Sequence, residues 1–314
     1  MPRLSARDAT LLLLLAALVA LPLLLPSSFH LRVASLVWIQ ALAAVGLNLL
    51  MGLAGQVSLG HAGFFGIGAY AVALGPRHLG LDPLLAAVVG LVGAAGLALL
   101  VGRPILRLRG HYLAVATLGL GVLVWLVLNS EVELTGGPDG IQVPRLVLFG
   151  MRVAGAESWY WISGTALLLG VWLALNLEDS PLGRALRALH DSEVAARVAG
   201  IDVARAKLVV FVIAAAYAAL AGSLLALFNR FVTPQVADFL HSIELVSMVV
   251  IGGLGSASGA IVGAAILTVL PQALTVFHEY EQAVLGLLII LFMIFLRQGI
   301  VPGLASLTWR RAAA

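Results

Sequence analysis

The sequence predicts an all-α integral membrane protein of about ten membrane-spanning helices, on three observations. Of the 314 residues, 61% are hydrophobic and only 11% charged, whereas a soluble domain carries about 25% charged residues. Apolar stretches long enough to cross a bilayer recur along the whole chain. They point to one transmembrane domain over residues 1–314 in place of a soluble domain with an anchor. The basic residues lie between those stretches with a bias to one side, which suits a multi-pass protein oriented in a membrane. The net charge of +3 and the pI near 9.7 fit that orientation, so no nucleic-acid partner is expected. Cysteine is absent, which excludes disulfides and thiolate metal sites.

A crossing helix needs about 20 apolar residues. The first run, Thr10–Pro26, follows Arg3 and Arg7 and precedes no small-x-small cleavage site. It reads as an uncleaved first helix, against the alternative of a cleaved secretory signal. Val33–Leu53, His61–Leu79, Leu84–Gly102 and Tyr112–Asn129 follow, then Trp159–Leu177, Leu208–Phe228, Ser242–Leu254, Gly259–Leu274 and Ala283–Leu296. The eighth has thirteen residues, so a broken or re-entrant segment is expected around residues 240–260. With the N-terminus inside, the inner loops hold thirteen basic residues: Arg3, Arg7, Arg103, Arg107, Arg109, Arg184, Arg187, Arg197, Arg205, Lys207, Arg297, Arg310 and Arg311. The outer side holds five: Arg32, Arg77, Arg145, Arg152 and Arg230. Both termini are therefore expected to be cytoplasmic. Two long loops stand out: 130–158 outside, with both charge signs, and 178–207 inside, the most charged stretch. The tryptophans mostly fall near span ends, as an interfacial belt requires.

Glycine concentrates in two turns about 200 positions apart, Gly52–Gly63 and Gly252–Gly259, each continuing into small residues at near four-residue spacing. Small residues let helices approach closely in lipid. Paired interruptions in two halves of a chain also point to a transport site, as in a two-half pseudo-repeat. Close packing without solute contact explains the same pattern. The basic-residue count puts both turns on the inner side, which a simple inverted repeat would not do.

The chain lacks a G-x-x-x-x-G-K-[ST] loop, H-E-x-x-H and G-x-S-x-G. No catalytic residue, metal site or cofactor is expected, and the chain does not bind ATP through a Walker loop. A membrane enzyme is disfavoured on the same ground. Buried acids of the kind that mark proton pathways are also missing from the spans. Glu244 comes nearest, at the expected outer end of the eighth. Polar groups at membrane depth are neutral: Asn48, Gln56, Ser58, His61, Thr117 and Ser247. Proton coupling is thus disfavoured, although sodium sites built of carbonyls and hydroxyls stay open.

The inner stretch Ser180–Asp202 reads as a helical hairpin. Pro181 suits a first helical turn. Leu182, Leu186, Leu189, Val194 and Val198 recur as an apolar stripe. Asp191 and Glu193 are placed to cap a second short helix ending at Gly200. The stripe either packs on the protein's own helix ends or the headgroups, or docks into a soluble partner.

Glu193-x-Ala195-Ala196-x-x-x-Gly200-Ile201 resembles the "EAA" loop of ABC importer permeases. Gly46–Tyr70, Leu134-Thr-Gly-Gly-Pro-Asp-Gly-Ile141 and Val250-Ile-Gly-Gly-Leu-Gly-Ser256 resemble the branched-chain amino acid permease family of the LivH/LivM type. The order span, acidic loop, T-G-G-P-D-G between Tyr112 and Ile141 is closer to the LivM branch. The likeness runs from about Val33 to Gly303. It implies a permease in the cell (inner/plasma) membrane, paired with a second homologous permease, two cytoplasmic ATPases and an extracytoplasmic solute-binding protein. It implies leucine, isoleucine and valine as solutes, or urea and short amides as in sister groups. Carried over, Arg187, Asp191, Glu193, Ala195, Ala196, Gly200 and Ile201 form the ATPase-coupling loop. Asn48, Gln56, Ser58, Gly60 and His61 line the pathway, and Thr135, Gly136, Gly137, Asp139 and Gly140 stand at the extracytoplasmic entrance. His190-Asp-Ser-Glu193 replaces the Arg-Glu-Asp-Glu run frequent in the family. A stand-alone secondary transporter is the competing class.

Overall fold

The computed structural model describes residues 6–24, 27–148, 151–273, 286, 287, 290, 294 and 299–303. The last expected span, Ala283–Leu296, lies largely outside the described residues. Twelve α-helices carry the described fold: α1 Ala6–Leu24, α2 Ser28–Asn48, α3 His61–Leu79, α4 Pro83–Ile105, α5 His111–Ser130, α6 Val132–Thr135, α7 Ala156–Asp179, α8 Pro181–Asp191, α9 Glu193–Val198, α10 Val203–Asn229, α11 Phe239–Gly252 and α12 Ala257–Ala273. Four two-residue strands complete it: β1 Ile141–Gln142, β2 Val147–Leu148, β3 Met151–Arg152 and β4 Phe231–Val232. Among the described residues, six helices are long and apolar enough to cross a membrane: α1, α2 with its extension to Leu53, α4, α5, α7 and α10.

Burial divides these helices. Across their most apolar stretches 83% of α2 and 61% of α10 is buried, against 22% of α4 and α5 and 11% of α1. The first pair forms the centre, with α3 packed on α10, and the others present apolar flanks, as helices facing lipid do. Close approach is made by small residues. A Cβ on Gly68 would strike the Ala219 carbonyl, and one on Gly222 the Phe65 carbonyl. Ser223 Oγ donates to the Gly68 carbonyl at 2.9 Å across the same contact. Backbones that close gain dispersion contacts that lipid cannot replace.

Each end of the bundle is tied differently. At one end Arg7 of α1 donates to Asn176 Oδ1 at 2.6 Å and pairs with Asp179 at 3.4 Å, beside the turn into α8 and α9. At the other, the chain after α5 pairs with the chain after α10: Ile141 faces Val232 and Gln142 faces Phe231 in an antiparallel ladder. The first is the hairpin end of the bundle and the second its loop end.

The eighth expected span is the 14-residue α11, which is not long enough for a full crossing. It begins inside the bundle, since a Cβ on Gly66 of α3 would meet Ala237 at its entry. α2 ends in a π-helical turn, Leu49–Leu53, before the chain leaves helical geometry at Gly55. A π turn fits one extra residue into the helix and often marks a functional position.

Candidate functional site

The two Gly-rich turns meet. Asn48 Oδ1 accepts from the Gly255 backbone N–H at 2.9 Å. Gly52 lies so close to Gly255 that a Cβ there would overlap its nitrogen. Gly252 and Gly259 likewise touch through backbone, bringing α11 and α12 together. Asn48 is therefore a clamp between the turns, with its side-chain oxygen already used, and only 3% of the residue is exposed. Gly55 packs on the ring of His190 at the end of α8, so both turns lie at the hairpin end.

From Gly55 the chain climbs back into the bundle. Gly60 packs on Gly121, the eleventh of the 20 residues of α5, so α3 starts level with the middle of α5. Its first groups are held by side chains: Leu59 N–H donates to Thr117 Oγ1 at 3.1 Å, and Ala62 N–H to Ser242 Oγ of α11 at 3.1 Å. Gln56, Ser58 and His61 are all buried in this break. Ser58 Oγ and His61 Nδ1 stand 3.2 Å apart. His61 Nε2 and Gln56 Oε1 lack a well-formed hydrogen bond among the described residues, although the His61 ring lies against the Ala214 carbonyl of α10. Buried polar groups are normally satisfied, so Gln56 Oε1 is the open position where the helix is interrupted, among the described residues. The break thus brings together Gln56, Ser58, Gly60 and His61, while Asn48 serves the neighbouring crossing.

The hairpin forms as two helices, with one change to the expected caps. Ser180 Oγ accepts from Gly183 N–H at 3.2 Å ahead of Pro181, which opens α8. α8 runs through Asp191, and Ser192, not Asp191 or Glu193, caps α9 by accepting from Ala195 N–H at 3.2 Å. A serine hydroxyl reaches the third amide at that position with little strain, whereas Asp191 is still inside the preceding helix. Gly200, at φ +82°, stops α9: its N–H donates to Arg197 O and that of Ile201 to Ala196 O. This paired closure needs a left-handed residue, which glycine supplies without a Cβ clash. Ala196 is buried, Ala195 exposed, and Arg187 and Asp191 face solvent.

The apolar stripe divides at Ser192. Leu186 and Leu189 are buried in the protein's own core, but Val194 is 66% and Val198 86% exposed. Glu193 turns inward instead. Its carboxylate accepts from the buried Lys207 ammonium of α10 and pairs with Arg109 at 3.5 Å and Arg197 at 3.6 Å. Burial raises the Glu193 pKa, but the Lys207 hydrogen bond and charge, aided by Arg109 and Arg197, outweigh it and hold the pKa below the usual carboxylate value. Sequence reasoning missed Lys207 and Arg109 as its partners. The signal available was Lys207 itself, the chain's sole lysine, set at the start of a strongly apolar run.

At the loop end, Thr135 Oγ1 donates to Leu128 O at 2.6 Å and accepts from Gly137 N–H at 3.2 Å. Gly140, at φ +74° and ψ −173°, lies in a region essentially open to glycine alone. A Cβ there would also strike Val232 O beside the β1–β4 ladder. Thr135, Gly136, Gly137 and Gly140 therefore shape the turn, and Asp139 is the exposed charge it presents.

An architecture of apolar crossings around interrupted helices is that of a multi-pass membrane protein. The family described as "Branched-chain amino acid transport system / permease component" matches residues 29–293, and the chain belongs to that family. It is 37% identical over 294 residues to the High-affinity branched-chain amino acid transport system permease protein LivM of Escherichia coli (strain K12), covering 86% of this chain and 69% of the relative. The LivM protein of Salmonella typhimurium is 37% identical over 321 residues, covering 93% of this chain and 74% of the relative. Its LivH counterpart is 28% identical over 285 residues, covering 83% and 90%. No solved structure is matched.

Proposed function

We propose that the chain is a permease subunit of an ATP-driven ABC importer that moves branched-chain amino acids delivered by an extracytoplasmic binding protein. Family membership supports the transport role, and the names of the LivM and LivH relatives support the solute class and a second, homologous permease partner. The observation that carries the ATP-driven part is the hairpin. Its rear, Leu186 and Leu189, is anchored in the core, while Val194 and Val198 stand out on a helix whose acid is locked inward. A short helix with two exposed valines and a rigid base is suited to seat in a groove of an ATPase subunit. In this reading the hairpin end and both termini are cytoplasmic, and the Asp139 turn faces the binding protein.

ATP closes the ATPase pair, which moves α8 and α9. The motion reaches Gly55 through His190 and the second turn through Asn48 and Gly255. Gln56, Ser58, Gly60 and His61 then lie where the pathway opens and shuts. The ligand need not bind tightly there, since only differential affinity between the two states shifts the equilibrium. Reconstituted in liposomes with a second permease, two ATPases and the binding protein, the chain is expected to give leucine uptake that requires ATP and the binding protein. Uptake by the purified chain alone would overturn the ATP-driven reading, and uptake of urea with none of leucine would overturn the solute.

A further inference from the structure

The sequence places Glu244 near the outer end of a span, but the structure moves it inward. Ser242, two residues earlier on α11, accepts from Ala62 N–H at the start of α3. That start is level with the middle of α5, through Gly60 on Gly121. Glu244 therefore lies near the mid-depth of the bundle. Its side chain is nonetheless 60% exposed, and its partner is His241, with Nδ1 at 3.2 Å and 11% exposure. The His241 ring is fixed edge-on to Phe65 of α3, at 4.9 Å between centroids. Leu240, 60% exposed, and Ile243, 36% exposed, flank the carboxylate on the same open face of α11.

A carboxylate at mid-depth does not belong against lipid, and intramembrane acids characteristically face water-filled paths or a cation. His241 is held by α3, so it orients the acid while leaving most of it open. An anion beside two aliphatic side chains matches a solute that carries an ammonium group next to an aliphatic side chain. We propose that Glu244 lines the translocation path and receives the α-ammonium group of the amino-acid solute, with Leu240 and Ile243 against its side chain and His241 as the positioning residue. The proposal rests on the amino-acid reading above and adds a recognition group to it.

The absence of cysteine provides the test. In the assembled, reconstituted importer, Glu244→Cys and the apolar-flank control Val92→Cys each carry this subunit's sole thiol. They are treated with a water-borne cationic methanethiosulfonate, and modification of this subunit is followed by mass. Only a hydrated thiol ionises and reacts, so Glu244→Cys is expected to be modified about tenfold faster or more than Val92→Cys. Leucine with the binding protein is expected to slow that modification. Modification no faster than at the control, as lipid or a partner permease covering the face would give, overturns the proposal. In uptake assays Glu244→Gln is expected to lower leucine transport about tenfold or more, with Glu244→Asp retaining part of it. Wild-type uptake by Glu244→Gln overturns the ammonium role while leaving the amino-acid reading intact. A wild-type complex that moves no amino acid overturns both.

Discussion

Lys207 is the chain's sole lysine, and with its side chain 6% exposed it relies on the Glu193 carboxylate for charge balance. Removing one member of such a pair leaves the other buried and uncompensated. Glu193→Gln is expected to lower stability by about 1–3 kcal/mol, measured by thermal unfolding in detergent. Adding Lys207→Met to that variant should restore part of the loss, and strict additivity in the double-mutant cycle would show that the two do not interact. The pH dependence has a definite sign. The folded pKa of Glu193 is depressed, so the pair's contribution is complete above the unfolded value of about 4.3 and is lost as pH falls through the folded one. The gap between wild type and Glu193→Gln should be flat from pH 6 to 8 and shrink only in acid. Glu193 was legible in the sequence as part of an EAA-like motif. Its direction was not, because a motif fixes spacing along a helix and not which neighbour approaches it.

Among elements, the contact between α3 and α10 is the tightest test of small-residue packing. Gly222 meets the Phe65 carbonyl, whereas a Cβ on Gly93 of α4 would meet nothing within 4 Å among the described residues. Gly222→Leu must push two backbones apart and is expected to cost more than about 1–3 kcal/mol, with loss of folded yield. Gly93→Ala is expected to gain about 0.5–1 kcal/mol, since the glycine there only adds unfolded-state freedom. Thermal unfolding of the two variants side by side checks both signs, and equal effects would refute the packing account. The sequence shows glycine at both positions and cannot separate them. Most element positions were nonetheless legible: His61–Leu79 is a helix with those bounds, and the short eighth segment is a 14-residue helix that starts inside the bundle. Hydropathy and length suffice there, because lipid demands continuous internally bonded helices.

For the whole molecule, the uncovered surfaces differ in kind at the hairpin and on the flanks. Apolar flanks on α1, α4 and α5 suit lipid, but Val194 and Val198 protrude beside Arg197 and Arg109 at a charged end. Val194→Asp with Val198→Asp removes that apolar knob without touching the core. The double variant is expected to keep its unfolding free energy within about 0.5 kcal/mol of wild type and to lose copurification with the proposed ATPase subunits. Retained copurification would show that the subunits dock elsewhere.

Composition and periodicity alone determined that the chain is an apolar helical bundle lacking a nucleotide loop, with a charged hairpin and two Gly-rich interruptions. Those follow from local rules, since the cost of an unpaired peptide group in lipid acts on every segment separately. Only the tertiary structure decided that the two interruptions touch through Asn48 and Gly255, that Glu193 points inward to Lys207, and that Glu244 reaches mid-depth. Each of these depends on a contact between residues distant in sequence or on the level at which one helix starts against another. Such contacts are set by how backbones close on one another, a property of the packed bundle and of no single segment.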